Sequence, residues 1–258
     1  MPGALTIAGL DPTGRAGIVA DLRAFGAFDV AGAAAVAVQT VQGPGITPQV
    51  RAVEADWLAD QIKAALLTGA VAAVKVGALG TAANVRAVVD AMKAFADVPL
   101  VVDPVAATSS GATLLDDAGW QVMSEELLPI ATIVTPNIPE TERLVGAPIA
   151  SAEAMAKAGR KIADRGPFVL VTGGHLGADE RLCDVLVAPP DRMGMPWRSE
   201  SIASERLELP AKALRGTGCR LSAAIAAHLA WGHAVHDAVV AARHWLQADL
   251  AAGRDKHA

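Results

Sequence analysis

Cysteine is almost missing from this 258-residue chain: Cys183 and Cys219 are the only two, too few for a disulfide framework or a cysteine-rich zinc site. An excess of positive charge is missing too. With 22 Lys+Arg against 27 Asp+Glu the formal net charge is −5, so the sequence offers no basic field for nucleic acid, and none is expected as a partner. No apolar stretch runs for the ~20 residues of a bilayer crossing before Gly, Pro or a charge breaks it, so no membrane partner is expected. Met1 is followed by Pro-Gly and a short strand-like run, not by a basic segment and a long apolar one. A secretory signal is therefore not expected, and the expected location is the cytoplasm. Internal repeats and real linkers are also absent, so residues 1–258 read as a single domain.

What is present is apolar residue, 52% of the chain against 19% charged, enough to bury a large core. Short apolar or β-branched runs recur at Leu5 to Ala8, Ala33 to Val38, Val71 to Val76, Leu100 to Val102, Thr132 to Thr135 and Phe168 to Val171. Between most of them the apolar spacing is helical, and this alternation predicts a mainly parallel sheet covered by helices. Farther on, Asp184 to Ala188 and Glu205 to Leu209 read as strands flanking a connection at Pro189 to Ser201, which predicts an antiparallel edge. Two long helices are expected after it, one carrying Leu221, Ile225 and Leu229 before Gly232, the other Val235, Val239, Ala242 and Leu246 before Gly253.

Residues with chemistry follow the strand runs: Gly9 and Asp11, Asp103, Asn137, and Gly173-Gly174-His175. In open parallel sheets the ligand crevice lies at the carboxyl edge of the strands, where residues distant in sequence converge. Ordinary turn chemistry explains any one of these loops equally well, but less readily the whole set. The sharpest local signal is Arg215-Gly216-Thr217-Gly218-Cys219-Arg220 directly before an amphipathic helix. Glycines let successive N–H groups face one point, and the helix start adds positive partial charge, which together suit an anion. The pattern is neither G-x-x-x-x-G-K-[ST] nor G-x-G-x-x-G. Two arginines opposing the helix dipole, and a cysteine where a thiol pKa is expected to be lowered, are reconciled by an anion held there. The plainer alternative is two solvated arginines and a small buried cysteine.

Ala8-Gly9-Leu10-Asp11-Pro12-Thr13-Gly14-Arg15-Ala16-Gly17, Lys75-Val76-Gly77, Asp103-Pro104-Val105, Thr135-Pro136-Asn137-Ile138-Pro139-Glu140, Gly173-Gly174-His175 and Gly216-Thr217-Gly218-Cys219 occur in this order. Together they resemble the hydroxymethylpyrimidine/phosphomethylpyrimidine kinase family of thiamine biosynthesis, within the ribokinase-like superfamily. The resemblance implies an α/β chain with a three-layer α/β/α fold, ATP as phosphoryl donor, Mg2+, an aminopyrimidine substrate and a homodimer. It puts Cys219 at the position of the catalytic base, beside the Gly216, Thr217 and Gly218 amides that stabilise the transferring phosphoryl group. Asp103 and Glu140 match the Mg2+ site, although Asn137 and Glu140 also have the spacing of a helix capping box. Asn137, Thr172, Gly173, Gly174, His175 and Arg220 match the nucleotide site, and Gly9, Asp21, Gln39, Ala78 and Val105 the pyrimidine site. Gln39 is favoured over Gln42 as the amide that reads the ring, by the logic with which Gln reads adenine.

Four positions depart from the family: Arg15 replaces Gly, Ala78 replaces Met, Thr172 replaces Lys and Arg215 replaces His. Losing the Met enlarges the pocket, and Arg215 or Arg220 is expected to restore the charge lost at Thr172. A pyridoxal/pyridoxine kinase is the second enzyme reading, since it too acts on a hydroxymethyl heterocycle. A pyrimidine-binding protein that has lost efficient transfer is the third.

Overall fold

The computed structural model of the chain describes residues 1–43, 46–108, 111–174, 181–190, 199–207, 209 and 214–253. Among them one sheet runs from β1 (Gly3–Leu10), β2 (Ala31–Val41), β3 (Gln49–Ala52), β4 (Val71–Val76) and β5 (Leu100–Val102) to β6 (Ile133–Val134), β7 (Phe168–Val171), β8 (Arg181–Val187) and β9 (Ser199–Glu205). The spatial order is β3-β2-β1-β4-β5-β6-β7-β8-β9. From β2 through β7 every neighbouring pair is parallel, whereas β3, β8 and β9 pair antiparallel. Both edges are therefore antiparallel, one more than expected.

The helices are α1 (Gly17–Ala27), α2 (Ala55–Leu66), α3 (Ala82–Lys93), α4 (Asp117–Val122), α5 (Ile138–Val145), α6 (Ala152–Ala163), α7 (Thr217–Ala230) and α8 (Val235–Ala251). Side-chain alternation along the strands sorts them into two outer layers. Leu5, Ile7, Leu100 and Val102 pack against Leu58 and Ile62 of α2 and Val85 and Val88 of α3. Ala4, Val101, Phe168 and Leu170, pointing the other way, pack against Phe25 of α1, Ile225 of α7 and Val239 of α8. Val169 and Val171, on the same side as Val134, meet Met155 and Ile162 of α6. The central strands are buried on both faces, which is why they read as continuous apolar runs rather than alternating ones.

Two edge elements differ from expectation. Residues 49–52 pair with the end of β2 although Gln-Val-Arg-Ala is short and mostly exposed. The last strand is Ser199–Glu205, so the expected run from Glu205 begins where the strand ends, and Arg206, Leu207 and Leu209 are not in a strand. Its Glu208, like residues 191–198 of the connection, lies outside the described residues. Among the described residues no helix is long and apolar enough to cross a membrane.

Candidate active site

At the carboxyl edge of β1, β4, β5 and β6 the chain leaves the sheet at Asp11, Gly77, Asp103 and Thr135, and from these exits Asp11, Ala78, Asp103 and Asn137 line a cavity of about 620 Å³. Its wall includes Gly9, Ala78, Val105, Asp103, Asn137, Glu140, Gly216, Thr217, Gly218 and Cys219, ten of the residues expected from the sequence. Thr40, Gln42, Lys75, Thr108, Arg143 and Arg215 also line it.

The cradle at the start of α7 is built by backbone conformation. Gly216 caps the helix at φ 72° with no side-chain cap, and the first amide bonded back inside the helix is that of Arg220, to the Gly216 carbonyl. The N–H groups of Thr217, Gly218 and Cys219 thus precede the intrahelical ladder, at the positive end of the helix dipole. Glycine is required at 216: a Cβ there would lie 2.0 Å from the Arg15 carbonyl oxygen. The adjoining turn is similarly tight, since a Cβ on Gly17, at φ 58°, would lie 2.1 Å from the Gly9 oxygen. Asp11 shapes that turn by accepting from the Thr13 and Ala16 amides at 2.9 and 3.1 Å.

Below the cradle lies a fully buried ion pair. Lys75 Nζ donates to Asp21 Oδ2 at 2.9 Å, and Thr6 donates to the same oxygen at 2.6 Å. Burial opposes the ammonium, but Asp21, Cys219 and Asp103 outweigh it and raise the Lys75 pKa, so Lys75 stays charged. The Cys219 thiol accepts an N–H from Gly17 and is pushed up to about 12, by burial first and then by Asp103 and Asp21 against the pull of Lys75. The expected lowering of this pKa is not met, because loss of water and two carboxylates overcome the helix start and the lysine.

Asn137 and Glu140 form a complete capping box on α5: the Glu140 amide donates to Asn137 Oδ1 at 2.9 Å and the Asn137 amide to Glu140 Oε2 at 3.0 Å. The box and the cavity wall share these two side chains, so structural and ligand-facing uses coexist. Glu140 is raised to about 8 by burial and then by Asp103, with amides of Asn137 and Ala106 acting the other way. Asp103 is raised to about 6, chiefly by burial; Lys75 opposes this and Asp21 adds to it. The Ser222 hydroxyl reaches Asp103 Oδ2 at 3.3 Å. Two repelling buried carboxylates facing one cavity are hard oxygen donors that fit Mg2+, which takes few protein ligands and keeps several waters.

Other expected residues lie elsewhere. Asp21 is fully buried beneath the wall and serves Lys75 rather than facing the cavity. Gln39 is exposed and outside the wall; Gln42, beyond the end of β2, is buried and on it. Arg220 turns away to Asp249 of α8, at 2.9 Å, leaving Arg215 as the arginine of that motif on the cavity. Thr172 bridges to Asn137 beside the cavity without lining it, and the Gly173 amide donates to Asp184 Oδ1 at 2.8 Å. Gly174 is an exposed turn residue, and His175 lies outside the described residues. Lys75, at the head of Lys75-Val76-Gly77, carries no role in the expectations from sequence; a lysine inside the otherwise apolar strand Val71–Val76 is the signal that points to it.

A mixed, mostly parallel sheet between two helical layers, with an anion cradle at the start of α7 facing two carboxylates, defines a ribokinase-like protein. The family profile for phosphomethylpyrimidine kinase matches residues 11–257, and the chain belongs to that family. It is 38% identical over 96% of its length to a hydroxymethylpyrimidine/phosphomethylpyrimidine kinase of Rhizobium meliloti, covering 90% of that protein. It is 34% identical to the thiamine biosynthesis bifunctional protein ThiED of Geobacter sulfurreducens over 95% of this chain, but spans only 48% of that longer relative. Among solved structures, the ADP complex of Bacillus subtilis pyridoxal kinase is similar at TM-score 0.83 and 33% identity, over 95% of this chain and 89% of that one. The phosphomethylpyrimidine kinase of Clostridium difficile 630 is similar at TM-score 0.82 and 31% identity, over 97% of this chain and all of the other.

Proposed function

We propose that the chain is a kinase that transfers the terminal phosphoryl group of Mg-ATP to 4-amino-5-hydroxymethyl-2-methylpyrimidine, to its monophosphate, or to both, in thiamine biosynthesis. The observation that carries the reading is the convergence of the Gly216 to Cys219 helix start with Asp103 and Glu140 on one cavity. Phosphoryl transfer asks mainly for positioning and charge neutralisation. The Thr217, Gly218 and Cys219 amides would orient the transferring group, and Gly9, Ala78 and Val105 would flank the heterocycle. Asp103 and Glu140 would hold Mg2+, which when bound supplies neutralisation of phosphate charge. Asn137 and the Thr172 to Gly174 turn would border the nucleotide, with His175 as a further contact by family resemblance.

Cys219 stands where a proton leaving the hydroxymethyl oxygen would be taken. Its thiol is protonated at neutral pH in the ligand-free protein, and Lys75 is the neighbouring cation that favours the thiolate. The base is thus created in the assembled complex rather than stored in the resting one. The reading carries a cytoplasmic homodimer with it, which light scattering on the purified protein tests.

Similarity to a pyridoxal kinase at 33% identity supports a second reading, phosphorylation of pyridoxal. One assay separates the readings: the protein is incubated with Mg-ATP and either the aminopyrimidine, its monophosphate or pyridoxal, and ADP and product are followed. Turnover of the pyrimidines upholds the proposal, turnover of pyridoxal alone replaces it, and binding without turnover points to the non-catalytic alternative.

A further inference from the structure

Arg215 and Gln42, 173 residues apart in sequence, meet on the cavity wall, where Arg215 Nη2 donates a hydrogen bond to Gln42 Oε1. Gln42 is 8% exposed and follows β2, while Arg215 immediately precedes the cap of α7. A primary amide has an accepting end and a donating end, and a ligand can distinguish them only if the protein fixes which end faces it. A guanidinium has donors alone, so it bonds the oxygen and never the nitrogen. No described residue accepts from Gln42 Nε2.

We propose that Arg215 is a positioning residue that locks the Gln42 amide with its N–H donors turned to the ligand, so that the site selects heterocycles presenting an acceptor, such as an unprotonated ring nitrogen. A ring with C–H at that place leaves a desolvated donor unpaired, the kind of mismatch that discriminates strongly. The ligand class rests on the aminopyrimidine reading, whereas the direction of the amide rests on the Arg215 bond alone. Arg215 is thereby assigned to the heterocycle rather than to the phosphate, although it adjoins the cradle.

Steady-state kinetics on the wild type, Arg215→Met, Arg215→Lys and Gln42→Glu test the lock. Arg215→Met should raise KM for the heterocycle about tenfold while kcat and KM for ATP stay within about twofold. Arg215→Lys, which still donates to Oε1, should recover most of the loss. Gln42→Glu keeps a partner for Arg215 but removes the N–H donors, so it should lose heterocycle binding even though the link across the cavity survives. A rise in KM for ATP without a change for the heterocycle in Arg215→Met, or wild-type heterocycle affinity in Gln42→Glu, overturns the proposal. Calorimetric binding of the aminopyrimidine and of analogues with each ring nitrogen replaced by C–H, without ATP, reads the selectivity independently of turnover. A wild-type protein that binds all of them equally refutes the lock, whereas selective binding without turnover upholds it and refutes only the kinase reading.

Discussion

On the proposed mechanism Cys219 carries opposite demands: its neighbours would have to favour a thiolate during transfer, whereas burial and two carboxylates hold the resting thiol protonated. Cys219→Ala should lower kcat by about 10²-fold or more, the scale of a lost general base, while KM for ATP changes less than about threefold. Steady-state kinetics check it; near-normal kcat would remove the thiol from the mechanism. Asp103 and Glu140 give a pH signature. Their pKa values rise from 3.8 to about 6 and from 4.5 to about 8 in the folded protein. These two groups therefore bind more protons in the folded state than in the unfolded one across that range, and their contribution to stability falls as pH rises from about 4 to about 8. On the proposed site Mg2+ would need the ionised forms, so its stabilising effect would have the reverse slope. Tm measured with and without Mg2+ should differ more at pH 8 than at pH 6; an equal difference would detach these carboxylates from the cation. The cavity contacts Gly9, Asp103 and Cys219 were legible because each ends a strand or begins a helix. Asp21 with Lys75, and Arg220 with Asp249, were not, since a charged residue's spacing in the chain says nothing about which distant partner the folded layers bring to it.

The α7 start depends on one backbone conformation. Gly216→Ala places a Cβ 2.0 Å from the Arg15 carbonyl oxygen in a region that L side chains rarely adopt, so either the helix start or the Arg15 turn must move. Loss of about 1–3 kcal/mol of stability is expected from the strained conformation alone, with a higher KM for ATP; urea denaturation and kinetics measure the two. At the far edge, Arg243 of α8 pairs with Asp184 of β8 at 3.1 Å, and Asp184 in turn receives the Gly173 amide. Arg243 and Asp184 are only 9% and 2% exposed, so Asp184→Ala leaves a buried cation unpaired and should cost about 3–5 kcal/mol by denaturant titration. The core strands were legible because burial on both faces writes a continuous apolar run. β3 was not, being four mostly exposed residues, and β9 was placed too late because Ser199–Glu205 is a polar edge strand whose pairing with β8 overrides its composition. Gln42 was displaced by a slip of register: side chains alternate along β2, so Thr40 and then Gln42, just past its end, come to the cavity wall, whereas Gln39 is turned out and exposed.

Across the molecule, the cavity draws its walls from β1, β2, β4, the segment after β5, α5 and α7, so a ligand bound there bears on the whole fold rather than on one segment. An unreactive ATP analogue with Mg2+ at about 100 times its Kd should therefore raise global unfolding stability by about 2.7 kcal/mol. Denaturant titration followed by separate probes of α2 and α8 checks this, and a shift seen by one probe alone would mean local ordering only. The three-layer plan was legible from alternation, whereas the second antiparallel edge emerged only from strand pairing.

The abutment of Gly216 on the Arg15 carbonyl joins the beginning of the polypeptide to a point near its end. During synthesis, a ribosome-bound chain that stops short of residue 216 owns the described strands but lacks the helix start that completes the cavity wall. On the proposed function, protection of ribosome-bound chains from proteolysis by Mg-ATP is therefore expected only for lengths at which residues 216–219 have emerged and folded, a late checkpoint on synthesis.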